Sequence, residues 1–308
     1  MSEPTPTNAR DRGLGIFGLV LAFVGFSMSG VWVRWLVALD PLALTGWRVL
    51  VALAVLVPLI LVQPGERSAA QVLLREPRVH TAALRMTGFF VIAVVGFQRA
   101  PVALVLLCLG LSPAWVLILQ RLRGAGIPAQ KALGVGLALI GAMVGLAPTL
   151  SEWAAGGGAD AANAGVGALC GLAAGLLSAS YAVERQTLRG PHGEVPSAFL
   201  LASVTCLWGL GVFACALFTR MGSLSPSTAL EWGALIGFGV VSTASPLWGF
   251  AAASKSLPPL LVALTTPLIP FGGAFAAWLL LGQVPPLAFA LGAPIVLVGI
   301  VRVLTARG

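Results

Sequence analysis

Long apolar stretches alternate with short polar segments along nearly the whole chain. Each stretch is about 20 residues long, the length that an α-helix needs to cross the hydrocarbon core of a bilayer. Because lipid offers no hydrogen bonds to the backbone, such stretches are expected to be helical. The pattern predicts an all-α membrane protein with ten transmembrane helices, over residues 14–37, 42–62, 79–98, 101–120, 130–149, 164–184, 196–219, 230–253, 256–282 and 284–304.

The first stretch follows a polar lead that contains Arg10 and Arg12. It is too long for the core of a signal peptide, so we expect it to remain as the first membrane helix. The third stretch is interrupted by Arg85, which is expected to extend toward the lipid headgroups. The predicted division is a cytoplasmic lead (1–13), a first five-helix repeat (14–149), an external linker (150–163), a second five-helix repeat (164–304) and a cytoplasmic tail (305–308).

The composition is typical of a surface that faces lipid. Hydrophobic residues make up 58% of the chain and charged residues 9%, whereas soluble domains carry about 25% charged residues. The net charge of +8 is attributed to basic loops beside anionic lipid, and no nucleic-acid partner is expected. The expected partners are membrane lipid and a small-molecule substrate, with no obligate protein partner.

Basic residues are distributed unevenly between the two sides of the membrane. A cytoplasmic N-terminus places fourteen of the 18 Lys and Arg residues at cytoplasmic ends and two, Arg99 and Arg220, at external ends. Segment 150–163 carries Glu152 and Asp160 but no basic residue, as the positive-inside rule expects of an external loop. We therefore expect both termini in the cytoplasm, and the short loops are typical of a bacterial inner membrane.

The two halves resemble each other at a shift of about 155 residues. The aligned pairs follow the same order in both halves: Gly18 with Gly171, Ser27 with Ser180, Pro41 with Pro196, Ser112-Pro113 with Thr266-Pro267, Gly134 with Gly292, and Gly141 with Gly299. A unit of five helices that starts in the cytoplasm ends outside, so its copy begins outside and is inverted. Inverted repeats are typical of carriers, and they place a substrate site between the halves near the middle of the membrane.

Three segments resemble a known family. Residues 245–303 contain a basic residue before a Pro-Leu-Leu helix, a proline within that helix, an LGE-like helix end and a final helix with glycines. Residues 99–122 are a weaker copy, and the segment DPLALTGWR (40–48) is similar to the family's second helix. Together they resemble the EamA repeat of the drug/metabolite transporter superfamily. Gln283 replaces the glutamate of the LGE motif, and we interpret that position as structural.

The resemblance implies a ten-helix carrier of metabolites, commonly an exporter of amino acids or related compounds. The YddG-type exporters of aromatic amino acids are the subgroup that the resemblance suggests. An exporter of drugs or other organic metabolites is the alternative within the superfamily, and a channel or an intramembrane enzyme is the alternative outside it.

A cluster of hydroxyls around a proline is the first candidate substrate site. Ser242, Thr243 and Ser245 precede or adjoin Pro246 within the eighth stretch. A proline inside a helix frees a backbone carbonyl, to which a polar group of the substrate can bind. Most hydroxyls inside membrane helices bond back to their own helix, so a structural role is the alternative.

Aromatic side chains are the second candidate, because they can stack on a ring of the substrate. We predict Trp32, Phe90, Tyr181 and Trp248 for this role, together with Met28. The alternative for the tryptophans is the belt of aromatic residues at the membrane interface.

Arg48 is the most informative single charge, because it lies inside the second stretch. It could bind a substrate carboxylate, or it could serve the structure by reaching the headgroups or by pairing with Asp40. The sequence favours the structural role.

Several other chemistries lack the residues they need. No Asp or Glu lies deep in a stretch, which argues against proton-coupled pumps that use a buried carboxylate and favours a uniporter or facilitator. The two histidines, His80 and His192, fall at the cytoplasmic end of a span or in a cytoplasmic loop. A hydrolase would therefore lack its general base, and a metal ion would lack its ligands. We expect no enzymatic activity, no catalytic residue, no metal and no cofactor.

Overall fold

The computed structural model describes residues 9–61, 75–124, 126, 128–155, 158–188, 198–219, 222–257 and 259–305. Its helices are α1 (Ala9–Trp35), α2 (Pro41–Leu61), α3 (Pro77–Arg99), α4 in two segments (Val102–Leu109 and Ser112–Leu122), α5 (Ala129–Ala154), α6 (Ala159–Thr187), α7 (Ala198–Thr219), α8 in two segments (Ala229–Gly239 and Ser245–Ser256), α9 (Pro259–Leu281) and α10 (Leu287–Thr305). A π-helical turn, Val240–Ala244, joins the two segments of α8.

The predicted all-α architecture with ten membrane helices is confirmed. Among the described residues, nine helices are long and apolar enough to cross a membrane, and α9 contributes the shorter apolar stretch Leu268–Leu281. The segment 150–163, predicted to be a linker, is mostly helical, because α5 continues to Ala154 and α6 begins at Ala159. A helix satisfies its own backbone groups, so its ends can extend beyond the apolar run into the headgroup region.

The most extensive helix packings are preserved when the two halves are exchanged. α1 packs against α8 and α9, and α6 packs against the equivalent helices α3 and α4. α2 packs against its own equivalent α7, and α5 packs against its equivalent α10. Two similar five-helix units related by a twofold axis produce this pattern.

The helix directions show that the two units are inverted. α1 and α3 run in the same direction, because Arg34 near the end of α1 donates to the carbonyl of Ala100, just after α3, at 2.6 Å. α3 and α6 run in opposite directions: Gly167 near the start of α6 faces Ala100, whereas Leu177 further along α6 faces Gly88. The first helices of the two halves, α1 and α6, therefore point opposite ways.

Glycines bring α5 and α10 into backbone contact. A Cβ added at Gly134 would lie 2.6 Å from the carbonyl oxygen of Gly299, and one at Gly141 would lie 2.7 Å from that of Gly292. The sequence repeat pairs Gly134 with Gly292 and Gly141 with Gly299, so the twofold axis exchanges one contact for the other. We call these four residues the glycine seam.

Contacts between the halves also lie near both faces of the bundle. We call the side at which α1 begins and α10 ends the terminal face, and the other side the distal face. Near the terminal face, Arg85 of α3 forms an ion pair with Glu184 of α6, and the Thr81 hydroxyl donates to the same carboxylate at 3.1 Å. Arg85 therefore pairs within the protein, where the sequence suggested contact with headgroups, because a carboxylate of the other half lies beside it.

Near the distal face, the connections of one half contact the other. Leu39 and Ser223 form a β-bridge, and the indole N–H of Trp47 donates to the carbonyl of Leu224 at 2.9 Å. The side-chain oxygen of Gln283, after α9, accepts from the backbone N–H of Val102 at the start of α4, at 3.2 Å. A helix leaves its first N–H groups without partners, so Gln283 has the structural role that the sequence analysis gave it.

Candidate functional site

A central cavity lies between the two halves. It consists of two adjoining parts of about 200 Å³ and about 240 Å³. Both parts are lined by Phe26 of α1, Met86 of α3, Ser178 of α6 and Phe250 of α8. Two of these residues belong to the first half and two to the second, so the cavity occupies the place that the inverted repeat predicts for a substrate.

Aromatic rings form much of the cavity wall. Phe26, Phe89, Phe97 and Phe250 line the first part, and Phe90 and Tyr181 line the second. The rings of Phe26 and Phe250, one from each half, have centroids 5.7 Å apart. Such a wall can bury an apolar group and can stack on an aromatic ring.

The spacing of residues along α3 places one of its faces on the cavity. Met86, Phe89, Ala93 and Phe97 recur at intervals of three and four residues and line the first part. Residues at this spacing share one side of an α-helix. The sequence analysis selected only Phe90 from α3, although this periodicity was the signal that could have found its neighbours.

Arg48 of α2 also lines the first part of the cavity. Its side chain is 4% exposed. Nε donates to the hydroxyl of Thr243 at 2.5 Å, and Nη2 donates to the carbonyl of Ser242 at 2.9 Å. The guanidinium carbon lies 4.3 Å from the ring centroid of Phe90 and 4.4 Å from that of Phe238, so the charge is held between two ring faces.

The π-helical turn of α8 provides the two acceptors for Arg48. Pro246 has no N–H to donate to the carbonyl of Ser242, four residues earlier, and that carbonyl accepts from Arg48. The proline thus frees a carbonyl as the sequence predicted, but the carbonyl is used by a side chain of the protein. The π-helical turn at this point is consistent with the tendency of such turns to occur at functional sites.

Among the described residues, few polar groups other than Arg48 line the first part of the cavity. The Ser29 hydroxyl makes a long bond of 3.5 Å to the carbonyl of Gly25 in its own helix. The Ser178 hydroxyl has no hydrogen-bond partner among the described residues. Within the described part of the chain, these two hydroxyls and Arg48 are the polar side chains that line this part.

Three of the predicted site residues are brought together at the cavity. Arg48 lines the first part, and Phe90 and Tyr181 line the second. Ser242 is fully buried beside them and binds Arg48 through its carbonyl. Its hydroxyl has no partner among the residues that the structure describes.

The other predicted residues are placed differently. Ser245 donates back to the carbonyl of Val241 in its own helix at 2.8 Å, and Pro246 packs at Gly25 of α1. Trp248 contacts the ring of Phe17 edge to face. The described lining of the cavity contains neither these three residues nor Met28, which is partly buried on α1.

Trp32 lies at a separate groove near the distal face. This groove of about 600 Å³ is larger than the central cavity, and Trp35, Leu230 and Glu231 also line it. Leu230 is 84% exposed and Trp35 is 44% exposed, so much of the groove wall belongs to the outer surface of the bundle. The central cavity is the better candidate site, because it lies between the halves and contains a buried charge.

Comparisons with known proteins agree with this architecture. The sequence model of the EamA-like transporter family matches residues 13–146 and again residues 165–305. A solved structure titled "Crystal structure of protein" has 18% sequence identity and a TM-score of 0.59, with coverage of 96% of this chain and 97% of the other. At that identity the likeness concerns the fold alone. No curated protein matches the chain.

Proposed function

The chain belongs to the EamA-like transporter family, and on that premise we propose that it carries small metabolites across the membrane by alternating access. The observation that carries the proposal is a cavity lined by both inverted halves. Inverted repeats allow one half to adopt the packing of the other, which gives two states that open to opposite sides.

Contacts at both faces support a carrier in preference to a channel. The Arg85–Glu184 ion pair joins the halves near the terminal face, and Gln283 and the Leu39–Ser223 bridge join them near the distal face. A carrier breaks the contacts of one face at a time. A channel needs a path that is open from face to face.

The lining of the cavity supports amino acids as the substrates, aromatic ones among them. Four phenylalanine rings, those of Phe26, Phe89, Phe97 and Phe250, line the part of the cavity that also contains Arg48. A substrate with an aromatic side chain and a polar end matches this combination. We propose export or facilitated transport, because the described lining of the cavity contains no carboxylate that could couple transport to protons.

The distribution of charge supports an inner-membrane location with cytoplasmic termini. The ten-helix topology read from the sequence assigns fourteen of the 18 basic residues to the membrane face on which the N-terminus lies. Anionic lipid and the membrane potential favour that face in the cytoplasm. Cleavage of an N-terminal tag in sealed spheroplasts tests this orientation, because a cytoplasmic tag is protected from added protease.

Counterflow in proteoliposomes tests carrier function. Vesicles preloaded with phenylalanine, tryptophan or tyrosine should accumulate the labelled amino acid faster than empty vesicles do, because a carrier exchanges the two pools. A panel that includes aliphatic amino acids and organic cations would show which class is preferred. The absence of acceleration by any member would contradict the proposal.

A pair of variants connects transport to the cavity. Phe89→Ala removes a ring from the wall, which is worth about 1.5 kcal/mol or more, and should raise the half-saturating concentration of phenylalanine about tenfold. Phe218→Ala removes a ring that is 87% exposed and should leave transport unchanged. Equal effects of the two changes would show that the cavity is not the substrate site.

A further inference from the structure

We infer that Arg48 binds the carboxylate of the substrate, so that the carrier takes carboxylate-bearing molecules and rejects amines that lack this group. The inference rests on the proposed function and specifies the chemistry of its binding site. The buried guanidinium and its incomplete set of partners carry the argument.

Arg48 has no anionic partner among the residues that the structure describes. The ion pair within that part of the chain is the one between Arg85 and Glu184. Asp40, two helical turns before Arg48, accepts from the backbone N–H groups of Leu42 and Ala43 at 2.8 and 3.1 Å and thereby caps α2. The alternative that Arg48 pairs with Asp40 is therefore not what the structure shows.

The contacts that Arg48 makes are to neutral groups. A hydroxyl, a carbonyl and two ring faces orient the guanidinium, but they do not cancel its charge. A buried charge without a counter-ion is costly, and removal of the charge by an apolar residue of similar volume is often neutral or stabilising. Retention of an uncompensated cation inside a membrane helix is thus expected where a ligand supplies the negative charge.

The guanidinium also has a donor to spare. Nε and Nη2 are bound to the π-helical turn of α8, and Nη1 has no hydrogen-bond partner among the described residues. Because Arg48 lines the cavity, Nη1 is the donor left for a ligand there. The bonds to α8 fix the guanidinium plane in advance, which reduces the entropy lost when a carboxylate binds.

The remaining lining fits the rest of such a ligand. The rings of Phe89 and Phe97 line the same part of the cavity as Arg48 and can bury an aromatic or large apolar side chain. The hydroxyls of Ser29 and Ser178 also line that part and can accept a hydrogen bond from an ammonium group. A zwitterionic amino acid with an aromatic side chain satisfies all three features.

Competition between two matched compounds tests the inference on the unmodified protein. 3-Phenylpropionate has the ring and the carboxylate but no ammonium, and phenethylamine has the ring and the ammonium but no carboxylate. Each would be added to counterflow of labelled phenylalanine in proteoliposomes. We expect 3-phenylpropionate to inhibit at a concentration at least about tenfold below that of phenethylamine.

Two variants of Arg48 assign the selectivity to this residue. Arg48→Lys keeps the charge and should keep the preference for 3-phenylpropionate. Arg48→Met keeps the length without the charge and should abolish the preference. If Arg48→Met fails to fold, as judged by size-exclusion chromatography, the comparison between the two compounds on the unmodified protein still tests whether the substrate needs a carboxylate.

The outcomes separate this inference from the proposed function. Counterflow of phenylalanine that is inhibited equally by both compounds overturns the carboxylate site and leaves the carrier in place, with Arg48 serving to hold α2 against α8. An unchanged preference in a folded Arg48→Met variant also overturns it. Absence of counterflow for every substrate contradicts the carrier proposal itself.

Discussion

The glycine seam and the central cavity both lie between the two repeats, but the seam is symmetric and the cavity is not. In the seam, α5 and α10 meet backbone to backbone, and the twofold axis exchanges the contact of Gly134 for that of Gly141. At the cavity, the halves are unlike: α8 contains a π-helical turn, whereas its equivalent α3 is continuous from Pro77 to Arg99. The duplication is therefore preserved where helices pack and lost where a ligand is expected to bind.

The buried charge at the cavity, that of Arg48, is likewise present in one repeat and not at the equivalent position of the other. Arg48 lies seven residues after Pro41, and the residue at the same distance from the equivalent Pro196 is Ser203. One half thus supplies the guanidinium and the other half supplies the acceptors that hold it. The symmetric seam can keep its contacts in both states of a carrier, whereas the asymmetric site has to bind one molecule in one orientation.

The largest loss of stability is expected from Gly141→Leu in the glycine seam. A Cβ there would lie 2.6 Å from the backbone nitrogen of Val296 and 2.7 Å from the carbonyl oxygen of Gly292, and backbone atoms cannot move aside as side chains do. We expect overpacking of about 3 kcal/mol or more, seen as loss of the monodisperse peak in size-exclusion chromatography.

Gly136→Leu on the same helix is the matched control for this change. A Cβ at Gly136 meets nothing within 4 Å, so this variant should purify like the unmodified protein. Similar yields and melting temperatures for the two variants would show that the seam is not tightly packed.

A smaller loss of stability is expected from Thr243→Val at the cavity. The substitution keeps the shape of the side chain and removes the hydroxyl that accepts from Nε of Arg48. A hydrogen bond to a charged group is worth about 1.5–3 kcal/mol, so the free energy of unfolding in detergent should fall by about this amount.

Ser245→Ala serves as the control on α8. The Ser245 hydroxyl donates only to the carbonyl of Val241 in its own helix, so its loss should cost about 0.5 kcal/mol or less. If both variants melt like the unmodified protein, the hydrogen bond between Arg48 and Thr243 does not contribute to stability.

The ion pair near the terminal face should contribute about 1 kcal/mol. Arg85 is 36% exposed and Glu184 is 13% exposed as side chains, so solvent screens the pair in part. A double-mutant cycle with Arg85→Gln and Glu184→Gln measures the coupling, because the double variant should lose less stability than the two single variants together. Strict additivity of the three changes would mean that the pair does not hold the halves together.

The smallest loss of stability is expected from Gln283→Leu at the distal face. The change removes the acceptor of the Val102 N–H, a neutral hydrogen bond worth about 0.5–1.5 kcal/mol. Gln283→Glu keeps an acceptor oxygen and adds negative charge at a helix N-terminus, so it should preserve or raise the melting temperature. A lower melting temperature for Gln283→Glu than for Gln283→Leu would contradict the capping role.

Some residues of the candidate site could be predicted from the sequence, and others could not. Arg48 stands out in the sequence as a charge inside a span, and Phe90 was predicted as a ring that could stack on the substrate; both lie at the cavity. Phe26 and Phe250 also line it, but they have no feature that separates them from Phe218, which is 87% exposed. Trp248 was predicted to stack on a ring of the substrate, but it contacts Phe17.

The sequence by itself determined the number of helices, their duplication and the inversion of the second half. Lipid makes length and apolarity sufficient to specify a helix, and an odd number of helices in each repeat fixes the inversion. Only the tertiary structure decided which rings face the cavity and which acceptors orient Arg48. Lipid and a protein interior are equally apolar, so the sequence does not show which of the two a phenylalanine side chain will face.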